Sequence, residues 1–436
     1  MKKNESTLID KKAFWVFVFQ IFKILNGLVA ILLLPLFLTS RNQGIWFLML
    51  SFGSIILLFS ASQNNIALIF GAHEFKKLAT NNLKIVGRQI DIDNLSGFIK
   101  FSSIFFLKLL TWLSLLVLIS FIFYINEANS LNLILIFLIY VVGLYLYSLN
   151  FYILSYIESF NKVEYAYKFK SILIATIIVS TIYFLYSDYK LYALSLSVCI
   201  TMLFWFIYFL YKFKNHIKNI VNKKNQFNKY KKIIFLNYFK KNSFSMISGF
   251  LLFQIYTPIV YSFYGARYSG KVGLSIAIMT ALFAISTSAL HAKLPLVAKL
   301  ISEKRYQEAY HIYFNASRSS LLIFILLLLF GSYLLFNVNF FNIYQNRVVD
   351  ISSFFILSAA WFFQIIIYSL VMFTRMFKRE LFVIPTIVSS IYILIFTIVI
   401  LKYFTVKFIF LGLLSSYLFG LPWIYIIYKD FLKGKI

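Results

Sequence analysis

The chain has 436 residues, 61% of them hydrophobic and only 13% charged, with a formal net charge of +28. A soluble globular protein carries about 25% charged residues, so a single core wrapped in a hydrated surface does not account for this composition. The lone cysteine, Cys199, excludes an internal disulfide and a thiolate metal cluster.

In hydrocarbon every backbone amide must be bonded within its own segment, and ~20 mostly apolar residues are needed to cross it. Twelve stretches meet that demand. In chain order they are 13–38, 46–70, 101–125, 131–155, 171–187 and 191–211, then 243–264, 272–291, 319–336, 351–374, 382–401 and 408–428. The first follows Lys2 and Lys3 but is too long for the core of a signal peptide and lacks a small-residue cleavage site, so it is expected to be a retained span. The runs are continuously apolar, without the two-residue alternation of a transmembrane β-barrel. The expected fold is an all-α polytopic membrane protein of about 12 transmembrane helices. They divide into a six-helix bundle over 1–211, a basic linker over 212–241 and a second six-helix bundle over 242–436.

Placing both termini in the cytoplasm puts 33 of the 42 basic residues on that side. Positive charge concentrates on the cytoplasmic face of membrane proteins, which fixes this orientation as the expectation. The linker alone holds ten lysines. It is expected to be a solvated interdomain loop facing anionic lipid rather than a nucleic-acid patch. No nucleic-acid partner is expected.

The two halves look related. An offset of 229 residues aligns Arg41-Asn42-Gln43-Gly44-Ile45-Trp46 with Gly270-Lys271-Val272-Gly273-Leu274-Ser275, each taken as a short outer turn with Gly before the next helix. In both halves an amphipathic connection follows, at 74–100 and 293–318. Six spans per half with both termini inside give a parallel repeat about the membrane normal. Transporters built this way carry substrate between their halves near the midplane.

The segment Leu294-Pro295-Leu296-Val297-Ala298-Lys299-Leu300, followed by Glu303-Lys304-Arg305-Tyr306-Gln307-Glu308-Ala309 and Ala316-Ser317-Arg318, resembles the link after the eighth helix of Wzx-type polysaccharide flippases. Leu34-Pro35-Leu36 and Gln43-Gly44-Ile45-Trp46 carry the same resemblance at the first two spans. The superfamily also holds multidrug and toxin extruders (MATE) and lipid II flippases. The resemblance implies a MATE-like fold and a non-enzymatic flippase of the bacterial inner membrane. It would move a polyprenyl-pyrophosphate-linked oligosaccharide, of O-antigen or capsule type, to the periplasmic leaflet. The lipid-linked glycan and membrane lipid are then the expected partners, with a polysaccharide polymerase and chain-length regulator as further candidates.

Ionisable groups inside spans cost ~2.5 to 3.5 kcal/mol on insertion scales and so mark candidate sites. Lys23 lies near the middle of the first span, with Gln20, Asn26 and Gly27 at helical spacing. It is a candidate cationic cavity lining, against a structural pairing with neighbouring helices. Lys108 in the third span, with Thr111 and Ser114, divides evenly between cavity lining and snorkelling to the interface. Gln63, Asn64 and Asn65 end the second span, and Gln254 and Thr257 precede Pro258 in the seventh. Thr287 and His291 lie in the eighth, and Gln364 with Tyr368 in the tenth. The candidate cavity set is Gln20, Lys23, Asn26, Gln63, Asn64, Lys108, Gln254 and Gln364. Each of these polar groups is singly more often an interhelical hydrogen bond than a ligand contact. Pro35, Pro258, Pro385 and Pro422 mark kinks or hinges.

None of the 14 acidic residues lies near mid-span in this assignment; Glu127, Glu158, Asp188 and Asp350 fall near ends or in loops. A buried carboxylate relay is therefore not expected. Neither an ATP-binding phosphate loop nor a His/Glu metal spacing is present, so no cofactor, metal or catalytic residue is expected. A multidrug exporter of cations needs the opposite interior charge. A polysaccharide polymerase needs a large outer loop, whereas the longest here is 337–350.

Overall fold

The computed structural model describes residues 2–76, 78–81, 84–125, 130–221, 229–377, 379 and 381–433. They form α1 Lys2–Phe37, α2 Ser40–Phe75, β1 Ala79–Asn81, β2 Lys84–Val86, α3 Gln89–Tyr124, α4 Ser130–Ser159, α5 Val163–Tyr186 and α6 Tyr192–Val221. Next come α7 Lys229–Phe253, α8 Tyr256–Ser302, α9 Tyr306–Asn337, the one-turn α10 Asn342–Gln345, α11 Ile351–Met376, α12 Val383–Tyr403 and α13 Leu411–Lys433. The architecture is all-α apart from one small antiparallel hairpin, β1 with β2, between α2 and α3.

Among the described residues, eleven stretches are long and apolar enough to cross a membrane. One of them, Ile247–Ser302, is 56 residues long. Unbroken, it would run roughly 84 Å against a hydrocarbon layer of ~30 Å. It bends twice and so holds two of the twelve expected spans. The first break is at Gln254 and Ile255. The Gln254 N–H still closes the last turn of α7 on the Phe250 carbonyl at 2.9 Å. Its own carbonyl, however, is the one that Pro258 has no N–H to serve and against which the proline ring would clash. The second break is at Gly265, with φ 74° and ψ −179°. Essentially only glycine occupies that region.

Two expectations are corrected, and a third is given its form. Residues 212–241 are not one loop, because 212–221 continue α6 and 229–241 open α7; residues 222–228 lie outside the described set. Neither aligned segment is a turn: Arg41 to Trp46 forms the first turns of α2, the reversal falling at Leu38 and Thr39, and Gly270 to Ser275 is helical within α8, past the break at Gly265. The connection at 74–100 is the end of α2, the β hairpin and the long N-terminal extension of α3.

The chain forms two compact units. Unit 1 is Met1–Val29 with Phe52–Ile247, and unit 2 is Ala30–Ser51 with Ser248–Ile436. Helices α1 and α2 are thus each shared, and the hairpin between them belongs to unit 2. In unit 1, Phe121 of α3 stacks on Phe137 of α4 at 3.8 Å, and Phe106 on Tyr152 at 4.2 Å. The Asn150 amide of α4 donates to the Met202 carbonyl of α6 at 2.9 Å. In unit 2, Tyr313 of α9 donates to the Ser369 carbonyl of α11 at 2.7 Å, and Ser353 of α11 to the Lys407 carbonyl at 2.8 Å.

The α1–α2 hairpin is held in unit 2 by a close helix crossing. A Cβ on Gly44 would stand 1.7 Å from the Ala266 carbonyl oxygen, and one on Gly270 would stand 2.8 Å from the Gly44 nitrogen. Only two glycines allow the backbones of α2 and α8 to approach this closely. Beside them the buried Gln43 amide donates to the Gly270 carbonyl at 3.0 Å and to the Arg347 carbonyl at 3.3 Å. Tyr344 of α10 donates to the Leu32 carbonyl of α1 at 2.9 Å, one turn before Pro35 loosens the helical ladder. Arg347 lies outside the spans, and partial burial lowers its guanidinium pKa from the ordinary arginine range.

Candidate functional site: a polar stripe on the first helix

The apolar part of α1 is Phe14–Phe37. Lys23 lies nine residues into it, about 14 Å along the axis at 1.5 Å per residue. At ~100° per residue the helix carries three stripes. Trp15, Phe19 and Phe22 form one, and its first two members pack on α4 and α5. Phe19 meets Phe151 of α4 at 6.4 Å and Tyr167 of α5 at 5.6 Å, and the Lys168 ammonium lies 5.7 Å from the Trp15 ring. Phe14, Phe17, Ile21 and Leu25 form a second stripe, fully apolar and exposed. Gln20, Lys23 and Gly27 form the third, roughly 130° from the second, while Asn26 continues the first stripe one turn beyond Phe22, about 60° from Lys23; all four residues are exposed.

Two exposed faces of opposite polarity on one mid-membrane helix cannot meet the same solvent. The apolar stripe suits acyl chains. The stripe with Lys23 needs water or a polar ligand, because an ammonium at that depth is costly in lipid. Among the described residues Lys23 makes no hydrogen bond or ion pair, so its charge remains available.

The other candidate residues are placed differently. Lys108 on α3 is exposed at the centre of an apolar face made by Ile104, Leu107, Trp112 and Leu115, a setting in which a lysine stem lies along lipid and its head reaches the interface. Ser114 is buried rather than beside it. On α2, Gln63 is 1% exposed. Among the described residues, its Nε2, the Asn64 Oδ1 and the Ser60 Oγ are buried without a hydrogen-bond partner. Spaced at i, i+3 and i+4, they share one face of α2 inside unit 1.

In unit 2, Gln254 is half-buried at the α7–α8 break. His291 of α8 and Tyr368 of α11 share a hydrogen bond of 2.9 Å between Nε2 and the phenol oxygen. Phe283 lies 5.1 Å from Tyr368 and 5.4 Å from Trp361, so the two helices meet along an aromatic seam. Gln364 is half-buried one turn from Tyr368, and Thr287 is buried with its hydroxyl on the Phe283 carbonyl.

Sequence reasoning missed one charged pair. Glu158, at the end of α4, accepts from the Lys170 ammonium of α5 at 2.5 Å, with both side chains about nine-tenths buried. The same ammonium lies 4.6 Å from the Tyr167 ring. The i, i+12 separation across a helical turn gives no periodic signal, and Glu158 falls three residues beyond the span drawn by hydropathy. Glu127 lies outside the described residues. Asp188 and Asp350 are exposed. Among the described residues no group of three or more His, Cys, Asp or Glu could hold a metal ion.

No protein-family model matches the chain. No curated protein matches it either. Its fold, however, is similar to solved structures over nearly its whole length. An inward-facing multidrug resistance MATE family transporter of the MOP superfamily matches with a TM-score of 0.67 at 14% identity, covering 95% of this chain and 96% of that one. The lipid II flippase MurJ in an inward closed conformation matches with 0.66 at 15% identity, covering 96% and 87%. An outward-facing MATE transporter matches with 0.61 at 13% identity, covering 98% and 96%. The chain therefore has the two-lobed helical fold of these proteins, at identities that speak to fold alone.

Proposed function

We propose that the protein is a flippase that carries a polyprenyl-pyrophosphate-linked oligosaccharide from the cytoplasmic to the periplasmic leaflet of a bacterial inner membrane. The observation that carries this reading is the exposed Lys23 on a polar stripe set apart from the lipid-facing stripe of the same helix. A pyrophosphate and its sugars cannot cross hydrocarbon unaided, whereas the polyprenyl tail stays in it. A helix with one apolar and one cationic exposed face suits such a two-part substrate. Lys23 would offset phosphate charge, with Gln20 and Asn26 bonding sugar hydroxyls. The buried Gln63 and lipid-facing Lys108 take no part in this first contact.

The fold of MurJ, a lipid II flippase by name, supports the class of substrate, and the sequence resemblance to Wzx-type flippases supports the glycan. Both termini are taken as cytoplasmic, with 1–211 and 242–436 as the two repeats joined by the basic 212–241 segment. The stripe would face the two sides of the membrane alternately.

The MATE neighbours favour a second reading, export of small drug-like molecules. Interior charge separates the two, since an unpaired ammonium repels cationic drugs and attracts phosphate. The test is reconstitution in vesicles with lipid-linked oligosaccharide in one leaflet and, separately, with a cationic dye. Flipping of the glycan lipid that is lost in Lys23→Ala, with no dye efflux, is the expected result. Dye efflux without glycan transfer would replace this reading with the second.

A further inference from the structure

The start of α7 precedes its apolar run, which begins at Ile247, and yet it is clamped to unit 1. Phe235 is fully buried, with its ring 5.6 Å from Phe70 of α2 and 6.2, 5.5 and 5.6 Å from Phe98, Phe101 and Phe105 of α3. Phe239 adds an edge contact on Phe105 at 5.2 Å, and the Lys232 ammonium lies 5.3 Å from the Phe101 ring. This socket fixes the rotation of the segment about its axis.

At ~100° per residue, Ile233, Ile234, Asn237 and Lys240 then fall on the side away from Phe235. All four are exposed, the two isoleucines at 49% and 42%. Exposed branched aliphatics are poorly served by water, and a lysine is poorly served by hydrocarbon. The headgroup layer of a bilayer serves both, its acyl boundary taking the isoleucines and its phosphates the ammonium groups. The charge sets the lipid, because the described parts of the basic segment, 212–221 and 229–241, carry eight lysines. Each is attracted to an anionic surface and to no zwitterionic one.

We propose that the first turns of α7 are a lipid-surface helix that binds anionic phospholipid through Ile233, Ile234 and Lys240 while Phe235 anchors it to unit 1. This inference depends on membrane insertion and not on the transported substrate. It makes the start of α7 a lipid-held segment rather than a free one.

The test uses the full chain in nanodiscs of phosphatidylcholine alone or with phosphatidylglycerol, with Cys199→Ala and a spin label at position 233 or 237. In anionic discs the label at 233 should be reached by oxygen and shielded from a water-soluble nickel chelate. The label at 237 should report an intermediate depth. Phosphatidylglycerol retained through purification should fall about fivefold in Lys240→Gln. Equal nickel accessibility at 233 in both discs, with unchanged lipid retention, would overturn the proposal. So would shielding at 233 that appears only on addition of a soluble protein fraction.

Discussion

The Gln43 side-chain nitrogen reaches the Gly270 carbonyl oxygen at 3.0 Å, joining residues 227 positions apart at the point where two helix backbones nearly touch. Gly44 and Gly270 are the condition for that bond, because a methyl group on either would strike backbone rather than a movable side chain. Gly44→Ala is expected to destabilise unit 2 by about 1 to 3 kcal/mol, the usual range for overpacking. Gln43→Ala should cost about 1 kcal/mol, the net worth of an ordinary hydrogen bond. Thermal unfolding in detergent would check the order. A Gly44→Ala protein as stable as the parent would mean that the crossing does not form.

Lys23 and Lys108 are both lysines at membrane depth on exposed helix faces, and they should behave oppositely. Lys23→Ala is expected to lower glycan export at least tenfold, Lys23→Arg to retain most of it and Lys23→Gln to fall between. Lys108→Gln should leave export near the parental level, since its charge serves only the interface. Export measured at matched membrane abundance distinguishes the two sites. Equal losses at both would mean that Lys108 also faces the polar route.

The Glu158–Lys170 pair is buried deeply enough that breaking it should matter more than deleting it. Glu158→Gln or Lys170→Met alone leaves one uncompensated charge, a change that typically costs about 3 to 5 kcal/mol. The double variant should recover much of that loss. A double-mutant cycle on unfolding, read beside export, separates stability from transport. Additive losses would show that the two side chains do not interact.

Gly265 and Gly331 offer a clean contrast, because neither has a heavy atom within 4 Å of an added Cβ. Gly331 is inside α9 with a helical backbone, so Gly331→Ala should stabilise by roughly 0.5 to 1 kcal/mol. Gly265, at φ 74° and ψ −179°, should lose about 1 to 3 kcal/mol on the same change, through backbone strain alone. Melting temperatures moving in opposite directions would confirm that the bend between the seventh and eighth spans is built on this one torsion.

The spans were legible because hydrocarbon imposes a length and a composition that hydropathy reads directly. Lys23 was legible for the same reason, as a charge where none is tolerated without cause. Hydropathy is blind to what continues a helix beyond the membrane, and so 212–221 and 229–241 read as loop. The Lys108 environment depends on which face of α3 its neighbours cover, a property of packing rather than of sequence. Glu158 was passed over because its partner comes from the next helix. Gln43 and Gly44 stood out only as a motif, since their partners at 266 to 270 and 347 become neighbours only on folding.

Unit 2 is assembled from residues 30–51 and a body that begins at Ser248. A ribosome adding about 5 to 20 residues per second needs roughly 10 to 40 seconds to supply the ~200 residues between them. For that interval the Gln43–Gly44 surface of the first hairpin has been synthesised but has nothing to dock against. Biogenesis of this protein therefore includes a waiting step, and unit 2 cannot mature before the residues from Ser248 onward are made. A separately expressed body from Ser248 onward would lack residues 30–51, which the N-terminal part of the chain encodes.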